Sequence, residues 1–166
     1  MKTSLVNFMV VIVPFFTFPV FGQTVKLADL LNVKRTDSSQ MKNLFGGNQF
    51  YLAKVTSEGR KTDYVYQMDS SNKIGIRVFQ INDSIRQIIW VTYTFTDEQT
   101  YKELAFDLRN GEFVRLSSDI IKGFNNTKVK GYKVGDLVII LSKNDPKIMK
   151  YPYDLSIQNM QFIRVK

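Results

Sequence analysis

The apolar positions of this chain change period along its length, and the changes mark its elements. Residues 5–20 are almost continuously apolar, interrupted at Asn7, Pro14, Thr17 and Pro19. Leu27, Leu30 and Leu31 then recur at helical spacing before Asn32, which predicts a short helix. A second helix is predicted where Asp37 and Gln40 have capping-box spacing, Met41, Leu44 and Phe45 share one face, and Gly46-Gly47 stops the turn. From there the period falls to two. Residues 50–55, 63–68, 73–81 and 85–95 are rich in β-branched and aromatic side chains. Ser57-Glu58-Gly59, Asp69-Ser70-Ser71-Asn72 and Asn82-Asp83-Ser84 separate them as turns, so the segment reads as an antiparallel meander.

A second cycle opens at Thr96. Thr96 and Gln99 have capping spacing, and Tyr101, Leu104, Ala105 and Leu108 form a stripe that closes at Asn110-Gly111. Strands follow at 113–118, 128–134, 136–142, 153–158 and 161–165. The run Leu137-Val138-Ile139-Ile140-Leu141 predicts a strand buried on both faces. Residues 36–45 set over 96–105 agree at Thr, Asp, Lys and Leu, which suggests repeat units over 36–95 and 96–166; capping chemistry alone supplies the Thr-Asp part of that match. The expected fold class is α+β, with helices packed on a largely antiparallel sheet and two tandem helix-plus-strands units.

Lys2, the apolar run and Val20-Phe21-Gly22 have the order of a secretory signal peptide over residues 1–22; the two prolines count against a membrane anchor. The remainder, 23–166, is expected to form one domain, periplasmic or secreted. The ending Phe21-Gly22-Gln23, the segment Leu27-Ala28-Asp29-Leu30-Leu31 and the two cycles opening on Thr-Asp together resemble small exported proteins of Gram-negative bacteria whose function is uncharacterised. That resemblance extends over most of the chain in organisation and implies no activity.

Composition narrows the chemistry. There are no Cys and no His among 166 residues. A Ser-His-Asp triad, a thiol nucleophile, a disulfide framework and the usual nitrogen or sulfur metal sites are therefore excluded. Ser39-Gln40-Met41-Lys42 and Ser70-Ser71-Asn72-Lys73 fit Ser-x-x-Lys, without the partner elements that serine-lysine catalysis requires. Paired carboxylates remain as hydrolytic candidates. Glu58, Glu98, Glu103 and Glu112 all fall on turns or polar helix faces, where nothing raises a carboxyl pKa. Asp69-Ser70-Ser71-Asn72 lacks a calcium-loop frame, and Gly46-Gly47 stands at a helix end, where an anion is repelled. Neither metal nor cofactor is expected. The sequons at Asn82 and Asn125, and Asp83-Ser84-Ile85, indicate surface loops.

Two surface features remain as binding candidates. Of 23 basic and 15 acidic residues, nine basic and three acidic lie in residues 122–166. Lys128, Lys130 and Lys133, with Tyr132 among them, suit an anionic envelope surface, although lysine without arginine is equally a solubilising face. The second candidate is a sheet face. Alternation places Ile89, Val91, Tyr93 and Phe95 on the core side of one strand, with Ile88, Trp90, Thr92 and Thr94 opposite; Ile74, Ile76 and Val78 are core in the preceding strand, with Gly75, Arg77 and Phe79 opposite. Trp90, Arg77 and Phe79 would then form an amphipathic patch for a protein or glycan, unless a second layer covers it. The expected function is an exported, non-catalytic binding or interaction module of the cell envelope. A small carboxylate-dependent hydrolase and an inhibitory partner protein are the alternatives.

Overall fold

Two glycine hairpins set the strand register at either side of the sheet. Gly59 and Gly135 both have positive φ, 57° and 58°, at the first position of two-residue loops. That is the backbone hand that matches strand twist. The computed structural model describes residues 25–35, 50–83, 85–117, 128–147 and 149–160. The expected leader, the helix at 36–45, the Asn125 sequon and the strand at 161–165 lie outside them.

Helix α1 (Leu27–Arg35) is followed by β1 (Tyr51–Glu58), β2 (Lys61–Gln67), β3 (Lys73–Gln80) and β4 (Arg86–Phe95). Then come helix α2 (Glu98–Asn110), β5 (Val114–Arg115), β6 (Lys128–Val134), β7 (Leu137–Lys143) and β8 (Tyr153–Asn159). The strands form one eight-stranded sheet in the order β1-β2-β3-β4-β8-β7-β6-β5, with every pairing antiparallel. Each half is a meander in chain order, and the halves meet at β4 and β8. The molecule is thus α+β with the sheet dominant.

One cluster of buried side chains includes Leu27, Leu30 and Val33 of α1, Leu104, Ala105 and Leu108 of α2, and Ile74, Ile76, Val91, Leu155 and Ile157 of the central strands. A ladder of rings runs through it. Tyr93 stacks on Phe95 at 4.7 Å, Phe95 on Tyr153 at 5.6 Å, and Tyr101 of α2 reaches Tyr153 at 5.0 Å. Such pairs add to area burial by fixing ring orientation. At the end of α1 the buried Lys34 donates to the Ile88 carbonyl.

Three local details differ from the pattern read along the chain. The α2 cap is Asp97 rather than Thr96: its carboxylate accepts from the Thr100 N–H at 2.6 Å and the Thr100 hydroxyl at 2.7 Å, while Gln99 instead donates to Glu103. A carboxylate at this position satisfies free N–H groups and faces the positive helix end, so it outcompetes the threonine. The strand expected at 113–118 is reduced to two residues. In β4, Ile88 and not Ile89 is the core residue, at 2 % exposure. The pairing runs Arg77 to Trp90 and then Val78 to Ile88, so a β-bulge inserts Ile89 and reverses the alternation on its N-terminal side.

The Gly135 turn allows a direct test. No heavy atom lies within 4 Å of a Cβ built there, so Gly135→Ala meets no clash and only backbone strain. A loss of about 1 kcal/mol is expected from the left-handed conformation. A denaturation midpoint equal to that of the parent protein would show that the turn does not hold this geometry.

Candidate functional site

Trp90, Thr92 and Thr94 of β4 point to the sheet face opposite the ring ladder, and the strand register aligns them with β8 and β7. Trp90 pairs with Gln158, Thr92 with Ser156 and Thr94 with Asp154; Gln158, Ser156 and Asp154 pair in turn with Val138, Ile140 and Ser142. Period-two alternation therefore places a carboxylate, several hydroxyls, an amide and an indole on one surface.

The connection between β7 and β8 folds over this surface. Its base is closed by the Asn144 N–H donating to the Pro152 carbonyl at 2.7 Å, and Asp145 accepts from the Lys147 N–H at 2.9 Å. Across the sheet, the Tyr151 hydroxyl donates to the Ser70 carbonyl in the β2–β3 turn at 2.9 Å. The result is a cavity of about 610 Å³, floored by Trp90, Thr94, Ile140, Ser142, Asp154, Ser156 and Gln158 and walled by Asn144, Met149, Lys150 and Tyr151. This volume is within the range of small-molecule sites.

Arg77 fixes one side of Trp90. Its guanidinium lies over the indole, 5.1 Å from the ring centroid, and grips Asp63 through two bonds of 2.7 and 2.8 Å. The hydrogen bonds from Arg77 hold the Asp63 carboxyl below its ordinary pKa, and the same bonds raise that of Arg77. A bidentate fork over an aromatic face orients all three groups. Both charged side chains are more than a third exposed, so the clamp contributes orientation more than stability.

Asp154 is the opposite case. It stands part-buried between Thr94 and Ser142, and among the described residues its carboxylate has no hydrogen-bond or ion-pair partner. Burial alone pushes its pKa up to about 6. Lys150, in the cavity wall, lies over the Tyr151 ring at 5.7 Å and Lys73 over the same ring at 5.1 Å, and neither is paired with Asp154. A carboxylate with a raised pKa, an apolar setting and a cavity in front of it is the combination expected of a functional group.

The residues singled out from the sequence separate in space. Arg77 and Trp90 are in contact. Phe79 is part-buried on the same face but stands opposite Gln87, beyond the bulge and away from the cavity. Lys128, Lys130 and Tyr132 share the register of Lys143, Leu141 and Ile139, with Tyr132 buried in the core cluster and Lys130 over the Tyr101 ring at 5.6 Å. Lys133 pairs with Val138 and takes the other face. Lys128 and Lys130 therefore lie on one side of the sheet and Lys133 on the other. Asp154, Ser142, Ser156, Met149 and Tyr151 were not among the sequence candidates. The one available signal was Asp154 within the alternating Tyr153, Leu155 and Ile157, a charge in a strand whose other face is core.

A second cavity, of about 570 Å³, lies at the end of α1, with Lys34, Arg35, Arg86, Asp136 and Asn159 in its lining. Burial lowers the Lys34 pKa, against a smaller opposing effect of Asp136. Asn159 donates to Asp136 at 2.8 Å, and its buried Oδ1 has no partner among the described residues. Its charged lining is three cations, Lys34, Arg35 and Arg86, against the single carboxylate of Asp136. Among the described residues no three His, Cys, Asp or Glu side chains converge as a metal site, and no helix is long and apolar enough to cross a membrane. No family model, curated protein or solved structure matches this chain.

Proposed function

We propose that this protein is a non-catalytic binding module exported to the cell envelope, with its ligand site in the cavity on the Trp90 face. In this reading α1 and α2 form a layer on the other face, leaving Trp90 and its neighbours as the working surface. Repeat units over 36–95 and 96–166 would each contribute one four-stranded meander and would place the site where the two halves meet, at β4 and β8. The observation that carries the proposal is the about 610 Å³ cavity uniting the clamped Trp90 with the unpartnered Asp154.

Binding is favoured over hydrolysis by the number of carboxylates. Acid-base cleavage of a glycoside uses two, roughly 5–10 Å apart. Asp154 is the one acidic residue in the lining. Asp63 on the same face is three strands away, roughly 14 Å across the sheet by strand spacing alone, and is neutralised by Arg77.

The single Trp makes the test spectroscopic. A neutral solvatochromic dye such as Nile red should bind one-to-one and quench Trp90 by energy transfer. Thr94→Phe, which fills the cavity floor while keeping a strand-forming residue, should abolish this binding. Equal dye binding by T94F and the parent protein would refute the assignment.

A further inference from the structure

The Trp90-face cavity has a charge requirement as well as a shape. Its lining is mostly apolar around one anion, and no cation among the described residues is paired with that anion: Arg77 is committed to Asp63, and Lys150, in the lining, and Lys73 lie against Tyr151. A part-buried carboxylate in an apolar setting is less favourable than one in water unless it is protonated or paired. Thr94, Ser142 and Ser156 offer hydroxyls around it, yet none is positioned as its donor in this structure. A positively charged donor entering the cavity would compensate this carboxylate best.

We infer that the cavity takes a protonated amine carried on an apolar body, the ammonium pairing with the Asp154 carboxylate and the body lying against Trp90, Ile140 and Met149. The inference rests on the binding reading above and specifies its ligand class. Trp90 contributes twice. Its indole gives the apolar body a broad surface, and a cation at its edge or open face gains from the ring quadrupole. The Arg77 clamp keeps the ring in place before the ligand arrives, which lowers the ordering entropy lost on binding. Lys150 sets a limit on ligand size: a long cation reaching the rim meets a like charge, so the ammonium must sit deep and the distal end must be neutral or anionic.

Proton linkage follows from the same arrangement. The groups facing Asp154 are Thr94 from β4, Ser142 and Ile140 from β7, Ser156 from its own strand, and Asn144, Lys150 and Tyr151 from the connection, with Lys73 of β3 at the rim. Asp154 is the carboxyl among these groups, so the pH dependence of amine binding is read at that residue. Amine binding requires its charged form, and with a pKa of about 6 that form falls to roughly a tenth at pH 5.

The test uses matched pairs, 2-phenylethylamine against 2-phenylethanol and hexylamine against hexanol, followed by ligand-observed NMR and Trp90 fluorescence. Each amine is expected to bind about tenfold or more tightly than its alcohol at pH 7.5. Affinity should fall roughly tenfold at pH 5, and Asp154→Asn should remove both the preference and the pH dependence. If alcohols bind as well as amines and T94F abolishes both, the cavity is the ligand site and the amine inference fails. If neither class binds to the parent protein in a way T94F changes, the site assignment fails with it.

Discussion

Asp154→Asn is expected to raise the melting temperature at pH 8 and to leave it nearly unchanged at pH 3.5. In the unfolded chain this carboxyl has an ordinary pKa of 3.8, and burial raises it to about 6 in the folded state. The folded protein therefore binds the proton more tightly. Below pH 3.8 both states are protonated and the group has no effect. As pH rises from about 4 to 6 the unfolded state gives up its proton first, so stability falls across that window, and above it the full penalty remains. The gap of about two units corresponds to about 3 kcal/mol, and hydration through the open cavity reduces this to about 2 kcal/mol. Removing the charge with an isosteric amide should recover most of it, a rise of roughly 5–8 °C. On the proposed binding reading, Asp154 would be a ligand-site carboxylate that destabilises its own fold, the usual relation between stability and function. If D154N melts lower than the parent protein at pH 8, Asp154 is instead satisfied by the protein, and its role is structural.

This result would concern a residue that periodicity alone could not select. Alternation fixed most strands because one face of each is core: Ile74, Ile76 and Val78 are buried as read, and Leu137, Val138, Ile139 and Leu141 are buried as a two-faced strand should be. The same rule failed at Ile88 and Ile89, because a bulge adds one residue without any composition signal and the parity reverses beyond it. The Trp90–Arg77 contact was legible because both belong to neighbouring strands of one meander. The placing of Asp154 beside Thr94 was not, since β8 joins β4 across more than 50 residues of sequence and the order 4-8 has no local signature. Charge counting is blind to strand faces for a related reason. It located the excess lysines in the last part of the chain but could not know that successive strand positions send them to opposite faces.

Leu30→Ala is expected to lower stability by about 3 kcal/mol while leaving ligand affinity unaltered. Helix α1 has nine residues, too short to persist alone, so it depends on the buried cluster that its apolar residues share. Leu30 has no exposed surface, its neighbours on the buried stripe are Leu27 and Val33, and Lys34 ties the last turn to the Ile88 carbonyl of β4. Truncation to alanine removes three carbons from a filled cluster, and the loss includes the void left where the sheet cannot close around it. In urea the midpoint should fall with an unchanged slope, the sign of lost stability without a change in the surface exposed on unfolding. Trp90 and Asp154 belong to the opposite face of β4 and β8 and share no partner with Leu30, so the effects of L30A and D154N should add to within about 0.5 kcal/mol. The amine preference should survive in L30A wherever the protein remains folded. Strong coupling between the two substitutions, or a loss of amine binding in folded L30A, would mean that α1 contributes to the ligand face itself, and the division of the sheet into a covered side and a binding side would have to be abandoned.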